Sequence, residues 1–304
     1  MTRRLAFPLI SRRRLVGTPF GAQRSTRRGR GGETAGTRPY VPGDPIATIE
    51  WVASARLSAA RGADEFIVRE QYSEEAPVVA IVLDHRPSMG LYPPPSPWLD
   101  KRATAAIAVR AIVESADDAR AVVGVFDEAR VATRLLPPAH GRVRLVGARV
   151  AATTMTAPAS ALDDGVQRLV RNRRSLPPGS FVFLVSDFLG SFGAASRTAL
   201  RGLGADIVPV VVQDPTWERS FPDVAGVLLP AVDVESGELH PARLTRGETR
   251  ARMAEHEQRY AELTERFRKT GMDPVTLDDA DPELIHHAFL GWAARRKRTQ
   301  RRVR

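Results

Sequence analysis

The sequence predicts an α/β fold: a mostly parallel central sheet flanked by helices, with a small N-terminal extension. Three observations carry that prediction. Val78–Leu83 is apolar at every position rather than every second one, as a strand buried on both faces requires. Three further runs of this kind stand at 121–126, 181–185 and 207–212. Segments of helical periodicity separate them, and strands alternating with helices make a parallel sheet.

Taken in order, residues 1–36 are Arg- and Gly-rich without periodicity, and 1–33 read as a disordered arm. Thr37 to Pro45 is turn chemistry. A short helix or turn carrying Trp51 fits 46–60, and the alternation over 65–72 fits a strand. Residues 34–77 thus form a segment expected to pack on a main domain spanning 78–294. After the first buried strand comes a proline-stiffened loop, 91–97. A helix over 101–117 follows, with Ala105, Val109, Ile112 and Ala116 on one face. The second buried strand leads through Asp127-Glu128 to a strand at 131–136, then helices at 142–150 and 157–170. A helix near 193–203 connects the third buried strand to the fourth, where Pro209 removes a ladder donor and so points to an edge or a bulge. Short strands are expected at 224–229 and 232–234. Thr245 and Glu248 have capping-box spacing, Met253, Tyr260, Leu263 and Phe267 form a stripe, and Gly271 ends that helix. A strand at 273–277 and a helix opening at Asp281-Pro282, with Leu284, Ile285, Ala288, Phe289 and Trp292 inward, close the domain. Residues 295–304 read as a basic tail.

Composition excludes several classes. The chain has 304 residues and no cysteine, so it makes no disulfide or thiolate site. No stretch reaches the ~20 apolar residues of a membrane span. The apolar run after Arg3-Arg4 is too short and Pro-broken for a signal peptide, which points to a cytoplasmic protein. The net charge of +10 is uneven. Residues 1–32 hold nine arginines and no acid, 295–304 hold seven basic residues and no acid, and 33–294 hold 29 basic against 35 acidic residues. Basicity concentrated in two tails gives one reading of function, contact with nucleic acid or anionic lipid.

The other reading starts where the strands end. In an open α/β sheet the ligand crevice lies beyond the carboxyl ends of the strands. Asp84 and Ser88 follow the first buried strand, Thr156 lies in the loop before a helix, and Asp187 follows the third strand. Hydroxyls and carboxylates of this kind suit a hard divalent cation. His85, Met89 and Tyr92 would form the rim. Catalysis lacks its usual parts: His286 and His287 are adjacent on a helix and do not share a face, no activated nucleophile is evident, and the glycines at 17, 21 and 29–32 make no phosphate loop. The chain therefore reads as non-enzymatic.

Asp84, Ser88, Thr156 and Asp187, in order and spacing, resemble the metal-ion-dependent adhesion site of von Willebrand factor A domains, whose sheet is Rossmann-type. Leu162 also fits. The pattern asks for a serine where this chain has Arg86. A guanidinium has no lone pair to ligate a cation. Either Arg86 replaces the metal as a fixed counter-charge, or it swings to solvent and leaves Mg²⁺ to the other four groups. Upstream, Arg38-Pro39-Tyr40-Val41-Pro42-Gly43-Asp44-Pro45, Glu50-Trp51, Arg56 and Glu70 resemble the bacterial domain-of-unknown-function-58 family, as do Gln213-Asp214-Pro215 and Gly271-Met272-Asp273. The resemblance spans about residues 34–292. It implies Mg²⁺ weakened by Arg86, and a protein partner, a MoxR-type AAA+ ATPase, in assembly or chaperone-like work. Tyr40, Gly43, Asp44, Trp51, Arg56 and Glu70 are expected to serve structure: Trp51 as a plug on the main sheet, Asp44 in an ion pair with Arg56.

Overall fold

A computed structural model describes residues 3–12, 18–28, 34–92, 98–126, 146, 150, 155–190, 192–233 and 238–302. The strand expected at 131–136 lies outside these residues, as does nearly all of the helix at 142–150.

Strands β1 (Thr18–Arg28) and β2 (Thr34–Pro39) precede helix α1 (Trp51–Arg61) and strand β3 (Ile67–Ala76). β3 pairs antiparallel with both strands, in the order β1-β3-β2. The main domain then runs β4 (Val78–Leu83), α2 (Lys101–Asp118), β5 (Val122–Phe126), α3 (Ala161–Arg171), β6 (Phe181–Ser186), α4 (Ala194–Gly202) and β7 (Asp206–Val212). A hairpin of β8 (Leu228–Val232) and β9 (Leu239–Arg243) leads to α5 (Arg246–Lys269), β10 (Val275–Leu277) and α6 (Pro282–Arg302). The hairpin strands lie later than expected at 224–229 and 232–234. The central sheet has order β10-β7-β6-β4-β5, and every pairing in it is parallel.

β4 shows why an all-apolar run belongs in the middle. Successive side chains point to opposite faces. Val79, Ile81 and Leu83 pack with Ala105, Val109 and Ile112 of α2 and Phe289 and Trp292 of α6. Val78, Ala80 and Val82 pack with Leu162, Val166 and Leu169 of α3 and Leu263 and Phe267 of α5. Each large side chain buried this way contributes about 1.5–3 kcal/mol. Gly165 lets α3 approach β4: a Cβ there would stand 2.9 Å from Val82 Cγ1. Pro209 is not on an edge strand. β10 covers β7 only from Val210 onward, so that flank of β7 is open at Pro209. The capping box of α5 forms as read, and Gly271 takes φ 69° after its end. Leu284, expected inward on α6, is exposed, whereas Ile285, Phe289 and Trp292 are buried.

Both tails correct the sequence reading. The arm expected to be disordered over 1–33 is ordered at residues 3–12 and forms β1 at Thr18–Arg28. Leu5, Phe7 and Leu9 alternate, and all three are buried in the core shared with α2 and α6. Phe7 stacks on Phe289 at 4.4 Å between ring centroids. The strap's backbone is held by side chains: Phe7 N donates to Ser115 Oγ at 2.8 Å, Arg12 N to Asp206 Oδ2 at 3.0 Å, and Arg296 Nη1 to Ile10 O at 3.2 Å. At the other end, residues 295–302 continue α6. Arg296 is buried, pairs with Asp206 at 2.5 Å and Asp273 at 3.3 Å, and lies over the Trp292 ring. The apolar positions Leu5, Phe7 and Leu9 and the acids Asp206 and Asp273 fold both basic ends onto the domain.

The N-terminal segment corrects two more expectations. Asp44 pairs with Arg38, both oxygens at 2.7 Å, and not with Arg56. That pair, with the Val41 N–H, lowers the Asp44 pKa to about 2. Trp51 plugs nothing: it is 58% exposed. Glu70 aligns with Gly36 in the β2–β3 ladder. Among the described residues no helix is long and apolar enough to cross a membrane.

Candidate functional site

The parallel register of β4 and β6 sets Leu83 beside Val185, so Asp84 and Ser186 leave the sheet side by side. Asp84 N donates to Val185 O at 3.0 Å. A short turn, Pro87–Gly90, follows and buries Ser88 and Met89. Asp84, Arg86, Ser88 and Asp187 are all fully buried, so the sheet brings the two expected aspartates to one place.

Arg86 faces inward. Its Nε donates to both oxygens of Asp84 at 3.0 Å, and its Nη2 donates to Asp84 Oδ2 at 2.6 Å. Arg86 N adds a bond to Asp84 Oδ1 at 3.0 Å, and Ser186 Oγ donates to Oδ2 at 2.6 Å. Burial works against the guanidinium charge, but the Asp84 bonds and charge, with Asp187 and Asp163 behind them, outweigh it and raise the Arg86 pKa. Room for Arg86 comes from Gly190, where a Cβ would lie 2.4 Å from Nη1.

A second cation, not singled out in the sequence, does the same for Asp187. Lys101 opens α2, and its Nζ donates to Asp187 Oδ2 at 2.9 Å and Glu218 Oε1 at 2.6 Å. All three are buried. Burial opposes the Lys101 charge, yet the two carboxylates raise its pKa. Burial also pushes Asp187 up, but the Lys101 charge and the Leu189 N–H overcome it and hold Asp187 below its ordinary value. Glu218 is left with the deficit: burial and the charge of Asp187 outweigh Lys101 and push it up to about 7. Two carboxylates sharing one ammonium in a low-dielectric site do not both stay ionised at low cost.

Around this pair, Gln213 Nε2 donates to Asp187 O at 2.5 Å, and Asp214 N donates to Glu218 Oε2 at 2.8 Å. Asp214 accepts from Leu99, Thr216 and Trp217 backbone N–H groups. Lys101, Ser186 and Glu218 were missed by sequence reasoning. One signal was available: a lysine in the first turn of a helix opposes the macrodipole, so it needs a reason to be there.

The rim differs from expectation. His85 and Met89 are buried, Met89 in the core packed against α2, so neither forms a rim. Their short loop is covered by the 155–157 segment, where Ala157 N donates to His85 O at 3.0 Å and Met155 lies against Gly90. Thr156, next to the Ala157 N–H that bonds His85 O, is exposed, whereas the aspartates are buried. Tyr92 is half-buried with φ 58°. Burial, then the charges of Glu218, Asp214 and Asp187, raises its pKa. It begins a chain of edge-to-face aromatic contacts, Tyr92–Trp98 at 5.7 Å, Trp98–Trp217 at 5.2 Å and Trp217–Phe221 at 5.5 Å.

Comparison with known proteins adds a family. The family described as "Protein of unknown function DUF58" matches residues 36–263. No curated protein matches the chain. Similar solved structures include conserved hypothetical protein BatB from Bacteroides thetaiotaomicron, at 18% identity and TM-score 0.39, covering 72% of this chain and 100% of that one. An aerotolerance-related membrane protein from Bacteroides fragilis has 16% identity and TM-score 0.36, over 70% of this chain and 98% of that one. Proximal thread matrix protein 1 from the mussel byssus has 13% identity and TM-score 0.32, over 45% and 38%. Likenesses this distant carry no argument about function.

Proposed function

Because the chain belongs to the DUF58 family, matched over three quarters of its length, we propose that it is a non-enzymatic protein-interaction module built on a degenerate metal-ion-dependent adhesion site, and that it works with a MoxR-type AAA+ ATPase. One observation carries the reading of the site: Arg86 and Lys101 neutralise, from within, the aspartates that would hold a cation. A divalent ion needs oxygen lone pairs. Both Asp84 oxygens accept bonds from Arg86, and Asp187 accepts from Lys101 and from Leu189 N. This donor set does not fit Mg²⁺. The same bonds leave Asp84 and Asp187 unsuited to act as a general acid or base. The resemblance in the upstream motifs motivates the ATPase partnership.

Since Asp84 and Arg86 are buried, a partner meets the rim: Thr156, Tyr92 and the exposed Trp98. The internal ion pairs hold that rim in shape. The test is titration calorimetry of the full chain against the MoxR-type ATPase of its own genome, with and without chelator. Expected are micromolar or tighter binding, insensitivity to chelator, and at least tenfold weakening by Trp98→Ala or Thr156→Asp. Absence of binding would sink the partnership. Binding that requires Mg²⁺ and is lost in Asp84→Asn would sink the degenerate-site reading.

A further inference from the structure

The N-terminal module presents an apolar surface that the crevice reading does not use. Trp51 and Val52 open α1 at 58% and 60% exposed, and Ile46 on the preceding turn is 69% exposed. Val41 and Phe66 are exposed beside them. Rings join the patch: Phe66 lies 6.1 Å from Trp51 and 6.3 Å from Tyr40, both edge to face.

α1 turns Trp51 and Val52 of its first turn outward, while Leu57 and Ser58 are half-buried. The one residue it buries is Ser54. Its attachment to β3 is polar: Ser54 Oγ accepts from Ile67 N at 2.8 Å and donates to Glu50 O at 2.8 Å, while Ser58 Oγ accepts from Glu65 N at 2.9 Å. The loop beneath is pinned by the Arg38–Asp44 pair and by Asp44 accepting from Val41 N at 2.9 Å. A surface fixed in this way binds with little ordering cost.

Charge and size narrow the occupant. α1 contains two arginines and no acid. Arg61 is taken by Glu65 beyond the helix end, and Arg69 by Glu50 before it. Arg56, exposed in mid-helix, forms no ion pair among the described residues. The exposed large apolar side chains here are five, Val41, Ile46, Trp51, Val52 and Phe66, far fewer than the roughly 20–30 residues a side of a standard interface. That suits one inserted segment better than a second copy of the chain.

We propose that the Trp51 face of α1 is a docking surface for an amphipathic helical segment of another protein, apolar on one side and flanked by carboxylates that meet Arg56. The surface stands independently of the crevice. The probes are two synthetic 18-residue amphipathic helices with the same leucine face, one flanked by glutamate and one by lysine, titrated by fluorescence anisotropy against the full chain. The glutamate peptide is expected to bind at least tenfold more tightly. Trp51→Ala is expected to weaken it tenfold or more, and Arg56→Glu, a change at an exposed position without an ion pair among the described residues, to reverse the preference. Equal affinity for both peptides overturns the proposal, as does indifference to Trp51→Ala. Sedimentation showing a Trp51-dependent dimer without peptide would assign the face to a second copy instead and overturn it too.

Discussion

Two buried ion-pair networks stand at opposite ends of the central sheet. At the amino ends of β7 and β10, Arg296 bonds Asp206 and Asp273, and Arg12 N and Ile10 O complete the cluster. Arg12 and Arg295 also face Asp273, so cations are in surplus there. At the carboxyl ends of β4 and β6 the balance is reversed: Asp84, Asp187 and Glu218 share Arg86 and Lys101. The first network ties the chain's two ends to the sheet. The second sits where an α/β sheet places its ligand. Burial of charge is common to both, so burial alone does not mark a site. What sets the second apart is its surplus of acids, at the carboxyl ends of the strands.

The strongest way to break that contrast is to remove one cation from each end. Lys101→Met leaves Asp187 and Glu218 buried without their shared ammonium, and urea unfolding is expected to report a loss of about 3–5 kcal/mol. Arg296→Met is expected to cost less, because Asp206 keeps the Arg12 N–H and Asp273 keeps Arg12 and Arg295. Equal losses would erase the distinction.

A second difference is in pH response. Glu218 in the folded protein titrates near 7, above its ordinary 4.5. Between these values the folded state holds the proton more firmly than the unfolded state, so this group's contribution falls as pH rises from 4.5 to 7 and is level above. Asp187 acts oppositely: its lowered pKa adds stability above its ordinary value of 3.8, which is lost in more acid solution. Thermal unfolding of Glu218→Gln across pH 4.5–7 is expected to show a flatter loss than the parent protein. An unchanged slope would remove Glu218 from the account.

The smallest effects concern two glycines. Gly190→Ala forces Arg86 to move from a 2.4 Å overlap, and about 1–3 kcal/mol of destabilisation is expected. Gly291→Ala on α6, where the nearest atom is Arg295 Nη1 at 3.9 Å, is expected to stabilise by up to about 1 kcal/mol through helix propensity. A melting temperature unchanged or raised in Gly190→Ala would show that the crevice is not packed around its arginine.

Much of this was legible in the chain. The all-apolar strands, the α2 face and the Thr245–Glu248 cap depend on residues close in sequence, whose spacing alone sets which side they occupy. The convergence of Asp84 and Asp187 was legible as well, because the carboxyl ends of neighbouring parallel strands lie together. The orientation of Arg86 was not: both directions satisfied the spacing, and the Gly190 gap that admits it is 104 positions away. Lys101 finds its partners 86 and 117 positions away, and nothing local predicts either. Trp51 was misread because an aromatic residue in a loop-rich segment ordinarily plugs a core, whereas here serines fill the inner face of its helix.

By itself, then, the sequence determined the layers, the strand order's parallel character and the edge at which acidic side chains gather, since hydrophobic period and helix caps act over a few residues. Tertiary structure alone decided which cation meets which carboxylate, which aromatic faces water, and that the N-terminal strap belongs to the core. Those outcomes depend on distances between segments far apart along the chain, and no local pattern encodes them.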